Sequence, residues 1–251
     1  MKMKTKKYLT IAFAVSIALS SLTGCGNVKV EDEITEVKGW PATDGTNLYC
    51  TRLDYDDLKT SNADLQAGID AYIQSVKDSF YDQDDNLAYA QMDYDEWSVE
   101  IDGKEFPSLD IEAFENEEAT EGYYDVLRIT TTSKKAPYIS FRTDRLTNSS
   151  RSNVYSEVTA TTLDAKTGQI LSIKDIYSDD ELRVLDEKIA ADLEKNHKDD
   201  LKKDYLDKIS TYRDGFLAVW YVEKGDLVIL YKQGTLTSLM AGDVEVRIPM
   251  K

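Results

Sequence analysis

Apolar residues recur along this chain with two different periods, and each stretch keeps to one of them. Between residues 61 and 81, Leu65, Ile69, Tyr72, Ile73, Val76 and Phe80 fall three and four apart, which is the stripe of an amphipathic helix. Ser61 and Asp64 are placed to cap its start. A second stripe, Leu182, Leu185, Ile189 and Leu193, follows Ser178-Asp179-Asp180-Glu181, a capping box with Ser at the N-cap and Glu three positions on. This helix is expected to break near Asn196 and resume toward Ile209.

Other stretches alternate or are rich in β-branched and aromatic residues, and they predict strands over 47–55, 94–101, 123–132, 138–143 and 153–163. Asp102-Gly103 is a turn, 82–85 a loop, and 107–122 acidic and irregular. Asp164-Ala165-Lys166-Thr167-Gly168 reads as a hairpin loop, with glycine where a positive φ is needed. The chain returns over 169–173. Residues 216–222 and 227–231 form a further hairpin around Glu223-Lys224-Gly225-Asp226, and 244–248 is a last strand. Strands joined by short turns and interrupted by two main helices predict an α+β fold with antiparallel sheets. The expected organisation is an acidic tether over 25–45 and two small consecutive α+β subdomains, 46–145 and 146–251.

The first 24 residues follow a different logic. Lys2, Lys4, Lys6 and Lys7 precede an apolar run over 9–19, about the length of a secretory signal core and short of the about 20 residues that span a bilayer. Leu22-Thr23-Gly24-Cys25 resembles the bacterial lipoprotein box. That resemblance implies removal of 1–24 as a lipoprotein signal peptide, a diacylglycerol thioether on Cys25, and acylation (palmitate or a similar chain) of its new amine. Two or more chains, at about 0.8 kcal/mol per buried CH₂, hold a domain at a membrane. The expected location is the outer face of the cytoplasmic membrane, in the cell envelope.

Composition then narrows the chemistry. The formal charge is −17, and loss of the four N-terminal lysines makes it −21. Such a balance opposes gripping nucleic-acid phosphates and opposes docking on anionic lipid by overall charge. It favours cationic partners, or solubility alone. One histidine, His197, and two cysteines, Cys25 and Cys50, leave no zinc site of several His and Cys. Any serine or cysteine triad would have to use His197. No Gly-x-Gly-x-x-Gly or Walker-type loop occurs. No cofactor and no metal is expected. Cys50 reads as a small buried hydrophobe, and His197, between Lys195 and Lys198, as a surface or helix-break residue.

Residues 161–177, Thr161-Thr162-Leu163-Asp164-Ala165-Lys166-Thr167-Gly168-Gln169-Ile170-Leu171-Ser172-Ile173-Lys174-Asp175-Ile176-Tyr177, resemble an extracytoplasmic domain family without an assigned function. That domain accompanies peptidoglycan deacetylases and forms the outer part of a lysozyme-sensing anti-sigma factor. Asp164, Thr167, Gly168, Asp175 and Tyr177 carry the resemblance. So does the ending, Leu227-Val228-Ile229-Leu230-Tyr231, Ala241-Gly242 and Val244-Glu245-Val246-Arg247-Ile248-Pro249. Residues 47–143 look like the companion domain that precedes it. Where family members often carry Gly-Gly-Ala-His, this chain has Ser150-Arg151-Ser152-Asn153. The deacetylase domain and a cytoplasmic sigma-binding segment are absent from this sequence, so the resemblance implies the outer sensing or binding part alone.

Two constellations stand out beside it. Asp82, Asp84 and Asn86 have EF-hand spacing, but Leu87 replaces the turn glycine and Asp93 the bidentate Glu, so solvated loop acids are expected. Sixteen tyrosines, with Tyr55, Tyr72, Tyr81, Tyr89 and Tyr94 near acids, suit a cationic protein or sugar rings, and also suit strands and core. Trp40, Trp97 and Trp220 read as packing residues. The function expected is that of a non-enzymatic binding or sensing lipoprotein for a cationic, lysozyme-type protein or for peptidoglycan. The alternative is a wall-glycan hydrolase using paired carboxylates, whose required separation a sequence does not display.

Overall fold

The computed structural model describes residues 27–82, 84–100, 106, 111–115, 122–148 and 154–250. Cys25 and the signal, the turn at Asp102-Gly103, most of 107–122 and Ser150–Asn153 lie outside them.

The fold is α+β, built on two sheets. The first holds β1 (Lys29–Pro41), β2 (Asn47–Lys59), β3 (Tyr124–Lys135), β4 (Tyr138–Asn148), β5 (Val154–Asp164) and β6 (Ile170–Leu171), in that spatial order. Neighbours are antiparallel except β2 and β3, which run parallel. Between those two the chain forms α1 (Ala63–Tyr81), α2 (Asp84–Glu100) and α3 (Ile111–Glu115). The short α4 (Ile173–Ile176), α5 (Asp179–Asn196) and α6 (Tyr205–Lys208) precede the second sheet. That sheet holds β7 (Ala218–Glu223), β8 (Asp226–Tyr231) and β9 (Val244–Pro249), antiparallel in sequence order.

Each helix stripe finds its sheet. Leu65, Ile69, Tyr72 and Phe80 of α1 bury against Leu53, Leu127, Ile139 and Phe141 of the first sheet. Leu182, Leu185, Ile189 and Leu193 of α5 bury against Leu227, Ile229, Val246 and Ile248 of the second. The capping box at Ser178 and Glu181 is present, and α5 ends at His197, whose amide donates to the Leu193 carbonyl. The cap of α1 is Asn62 rather than Ser61: its side-chain oxygen accepts from the amides of Asp64 and Leu65.

Three expectations are corrected. The stretch 25–45 contains β1, which pairs with β2 along its length. It is an edge strand whose Val30, Ile34 and Val37 are interrupted by Glu31, Asp32, Glu33 and Glu36. Charges of this kind protect an open edge, and they erase the alternation that marks a strand. Residues 94–100 of the strand expected over 94–101 are helical instead, since α2 runs to Glu100. Ala90 of α2 is buried, with Leu87 and Tyr94 packed beside Leu48, Tyr49, Phe106 and Tyr123. The spacing of three and four therefore governs. The boundary expected between 145 and 146 falls inside β4, which pairs with β5 from Tyr138↔Asp164 to Asn148↔Val154.

The hairpin loop after β5 is also an anchor for α1. Asp164 accepts from the amides of Lys166 and Thr167 and from the Thr167 hydroxyl at 2.7–2.9 Å. Asn62 Nδ2 donates to the carbonyls of Ala165 and Lys166. Gly168 has φ 69°, and a Cβ at Gly68 in α1 would stand 2.1 Å from the Gly168 carbonyl oxygen. Helix propensity alone favours alanine over glycine by about 1 kcal/mol. We predict the opposite sign for Gly68→Ala, a loss of about 2 kcal/mol from forced separation of the two backbones, read as a lower denaturant midpoint; an unchanged or raised midpoint refutes the contact.

Candidate functional site

A concavity of about 1050 Å³ lies where the two sheets meet α5. One wall is the β3–β4 hairpin, residues 131–138. The second is α4 and the first turns of α5, and the third is the β7–β8 turn with the end of β9. A smaller hollow of about 560 Å³ continues it along α5, past Lys188 to Lys195. The floor is apolar, with Tyr177, Leu185, Ile248 and Met250, and Val184 is 45% exposed above it.

The rim carries a charge opposite to the chain's own. Lys134, Lys135, Lys188 and Lys224 border the groove, and Lys195 its extension. Lys134 pairs with Asp56 at 3.4 Å. Lys135, Lys188, Lys195 and Lys224 are exposed, and among the described residues they have no ion pair. The carboxylates here are Asp180, Glu181 and Asp192. Glu181 is committed to the cap of α5, and Asp192 accepts from Asn196 at 2.9 Å. Burial raises the Tyr177 phenol, reinforced by Tyr138 and Glu181, so it stays a hydrogen-bond donor. Lys224 occupies the two-residue β7–β8 turn at φ 53° with Gly225 at φ 89°, the paired left-handed conformation of a type I′ hairpin.

A second constellation joins β1, β2 and α1. Glu36 accepts from Lys77 Nζ at 2.6 Å, from Tyr55 Oη at 3.0 Å and from Tyr81 Oη at 2.8 Å. Lys77 also reaches Tyr55 Oη at 2.7 Å, and Lys38 sits 3.2 Å over the Tyr81 ring. Burial pushes the Glu36 carboxyl up, but the bonds from Lys77 and Tyr81 and the Lys77 charge outweigh it, so its pKa lies below the ordinary value. Burial, then Glu36, raises the Tyr81 phenol. Glu36, Lys77, Tyr55 and Tyr81 satisfy one another, so the cluster fastens α1 to the edge strand.

The remaining expected residues are scattered. Cys50 is fully buried beside Phe114 and Tyr124, and burial raises its thiol to about 12, which keeps it unreactive. His197 is the C-cap of α5. Tyr72 is buried against Thr143 at 2.8 Å, Tyr94 donates to Asp44 at 2.6 Å, and Tyr89 is exposed. Trp40 packs beside Tyr49 and Trp220 against the second core; the Trp97 side chain lies outside the described set. The calcium-like spacing is dissolved by α2, which starts at Asp84, and Asp93 accepts from Tyr123 at 2.6 Å. Among the described residues no three of His, Cys, Asp and Glu converge as metal ligands. No described helix is long and apolar enough to cross a membrane.

The groove was not legible beforehand because its lining comes from four separated segments. The Lys224-Gly225 turn was readable by itself, as the turn of the 216–231 hairpin.

Residues 174–251 match a family described as a protein of unknown function, DUF3298. The matched span holds α5, the second sheet and two of the groove's walls. A crystal structure of a member of that family from Bacteroides fragilis is similar to this chain at 15% identity, with a TM-score of 0.58, over 90% of this chain and 92% of that one. Another from Pseudomonas aeruginosa gives a TM-score of 0.42 at 14% identity, over 96% and 89%. The first likeness shows a shared fold. No curated protein matches the chain.

The Glu36 cluster yields a pH test. Because the folded carboxyl lies below its unfolded value of about 4.3, its contribution is present above that value and is lost as pH falls through the folded one. Glu36→Gln is expected to lower stability at pH 7 by about 2 kcal/mol, with the gap to wild type narrowing as pH falls below about 4.3. Parallel denaturation curves at each pH check this; a constant gap refutes it.

Proposed function

We propose that this chain is an extracytoplasmic lipoprotein, held by lipid on Cys25 at the outer face of the cytoplasmic membrane. It acts there as a non-enzymatic binding or sensing module. The observation that carries the reading is the groove: an apolar floor with a lysine rim, in a chain whose formal charge is −17. A concavity of this size suits a ligand. Unpaired lysines select negative charge, and Tyr177, Leu185, Ile248 and Met250 select an apolar body. Its carboxylates are held in helix capping or side-chain bonds, or stand exposed at the start of α5, which supports binding over glycan hydrolysis. The resemblance to the domain that accompanies peptidoglycan deacetylases and forms the outer part of a lysozyme-sensing anti-sigma factor points the same way.

Of the two partner classes expected from the sequence, peptidoglycan, with its stem carboxylates, fits the rim charge better than a cationic protein does. A lysozyme-type partner would instead meet the acidic β1–β2 edge, where Glu31, Glu33 and Asp57 lie on the surface strands. Steering between opposite charges would bring it there.

Fractionation with intact mass measurement tests the attachment. Wild type should sediment with membranes and carry diacylglycerol, and Cys25→Ser should be released; a bare Cys25 overturns the reading. Incubation of the purified protein with peptidoglycan over pH 4–9 should release no product, whereas released sugar or peptide replaces the binding module with the hydrolase.

A further inference from the structure

We infer that the groove faces the bilayer and holds an anionic phospholipid of the leaflet that carries the Cys25 anchor. The inference rests on the lipoprotein reading and, of the anionic ligands that match the lysine rim, assigns the groove to lipid rather than to the wall polymer.

The first argument is reach. The chain expected as a long tether is structured almost from its start. Val28 is buried, and its amide donates to the Lys134 carbonyl at 3.0 Å. Lys134 is itself part of the groove wall. Three residue steps separate Cys25 from Val28, and a fully extended chain covers at most about 3.6 Å per residue. With the 3.0 Å hydrogen bond added, the Lys134 carbonyl is held within about 14 Å of Cys25. That is comparable to the depth over which an anionic membrane surface acts.

The second argument is orientation. A body of charge −21 beside an anionic leaflet is repelled as a whole. A tether this short still forbids it to leave, so the charges nearest the anchor decide which way it turns. Beside Val28 stand Lys29 and Lys59, opposite one another on β1 and β2, with Lys134, which meets Asp56, and Lys135 at the hairpin; Lys224 stands on the β7–β8 turn across the groove from them. The hairpin and the turn are joined by the Thr132 hydroxyl, which donates to the Val222 carbonyl at 2.8 Å. Overall charge opposes docking on lipid, whereas Lys135 and Lys224, which have no ion pair among the described residues, offer positive charge at the groove rim.

The third argument is chemistry. A phosphodiester wants ammonium groups, and Lys135, Lys188 and Lys224 stand at the rim. The first carbons of an acyl chain want a greasy wall, and Val184, Leu185, Ile248 and Met250 supply one. A soluble wall peptide would use the lysines and leave that wall wet.

The test uses the full lipidated chain in vesicles of phosphatidylcholine alone or with phosphatidylglycerol, read by lysine acetylation and mass spectrometry. Lys135, Lys188 and Lys224 should acetylate at least threefold more slowly when phosphatidylglycerol is present. Lys203 should not change. It lies beside the β8–β9 connection, at the opposite end of the second sheet, where Lys202 bonds the Leu236 carbonyl. The variant Lys135→Gln/Lys188→Gln/Lys224→Asn, whose Asn is at home at positive φ, should lose the phosphatidylglycerol that wild type retains in native mass spectra. Lipidated protein whose three lysines react equally in both vesicles, or slow no more than Lys203, overturns the inference alone. An intact mass without lipid on Cys25 overturns the anchoring reading and the inference with it.

Discussion

Val222 joins the two sheets. It lies on β7, the edge of the second sheet, and its outward main-chain groups have no strand to meet. Its amide donates to the Ser140 hydroxyl at 3.0 Å, and its carbonyl accepts from Thr132 at 2.8 Å. Ser140 is fully buried and also bonds the Thr162 hydroxyl. A buried main-chain group without a partner costs about 1–3 kcal/mol, so the edge can rest only where these hydroxyls stand. Val219, Tyr221, Val228 and Leu230 then close on Val158 and Ala160. The β3–β4 hairpin and the β7–β8 turn are thereby set at a fixed separation, and the gap between them is the groove.

Sequence reading succeeded where one period ran uninterrupted. The α1 and α5 stripes, the capping box at Ser178, the loop at Asp164–Gly168 and the β7–β8 hairpin were all visible, because each is decided by neighbours in the chain. It failed at β1 and α2 for opposite reasons. In β1 the edge position calls for charge, and charge hides the alternation. In α2 three apolar contacts, Leu87, Ala90 and Tyr94, are diluted by acids on the exposed faces, so the aromatic run at its end looked like a strand.

The resemblance at Asp164-Ala165-Lys166-Thr167-Gly168 has a physical content that spacing alone did not reveal. The loop does more than turn the chain: its carbonyls seat Asn62, and its glycine lets α1 lie against it backbone to backbone. In this chain the motif is an internal contact between loop and helix. The groove had no such signal. Net charge averages over the whole chain, so the acids of β1, β2 and α2 concealed a lysine rim gathered by tertiary contact.

Topology explains why the lysines of the β3–β4 hairpin and the start of β1 share one end of the molecule. Lys29 opens β1 opposite Lys59, the last residue of β2. Because β2 and β3 run parallel, β3 also finishes at that end, and the hairpin through Ala136 and Pro137 turns there. β5, antiparallel to β4, ends there as well, at Asp164 opposite Tyr138. Had β2 and β3 been joined by a tight turn, they would have been antiparallel and the hairpin would have pointed away from Val28. The long crossover through α1, α2 and α3 makes the parallel pair possible. That one parallel pair therefore places the lysines of the hairpin beside the residue at which the chain enters the fold.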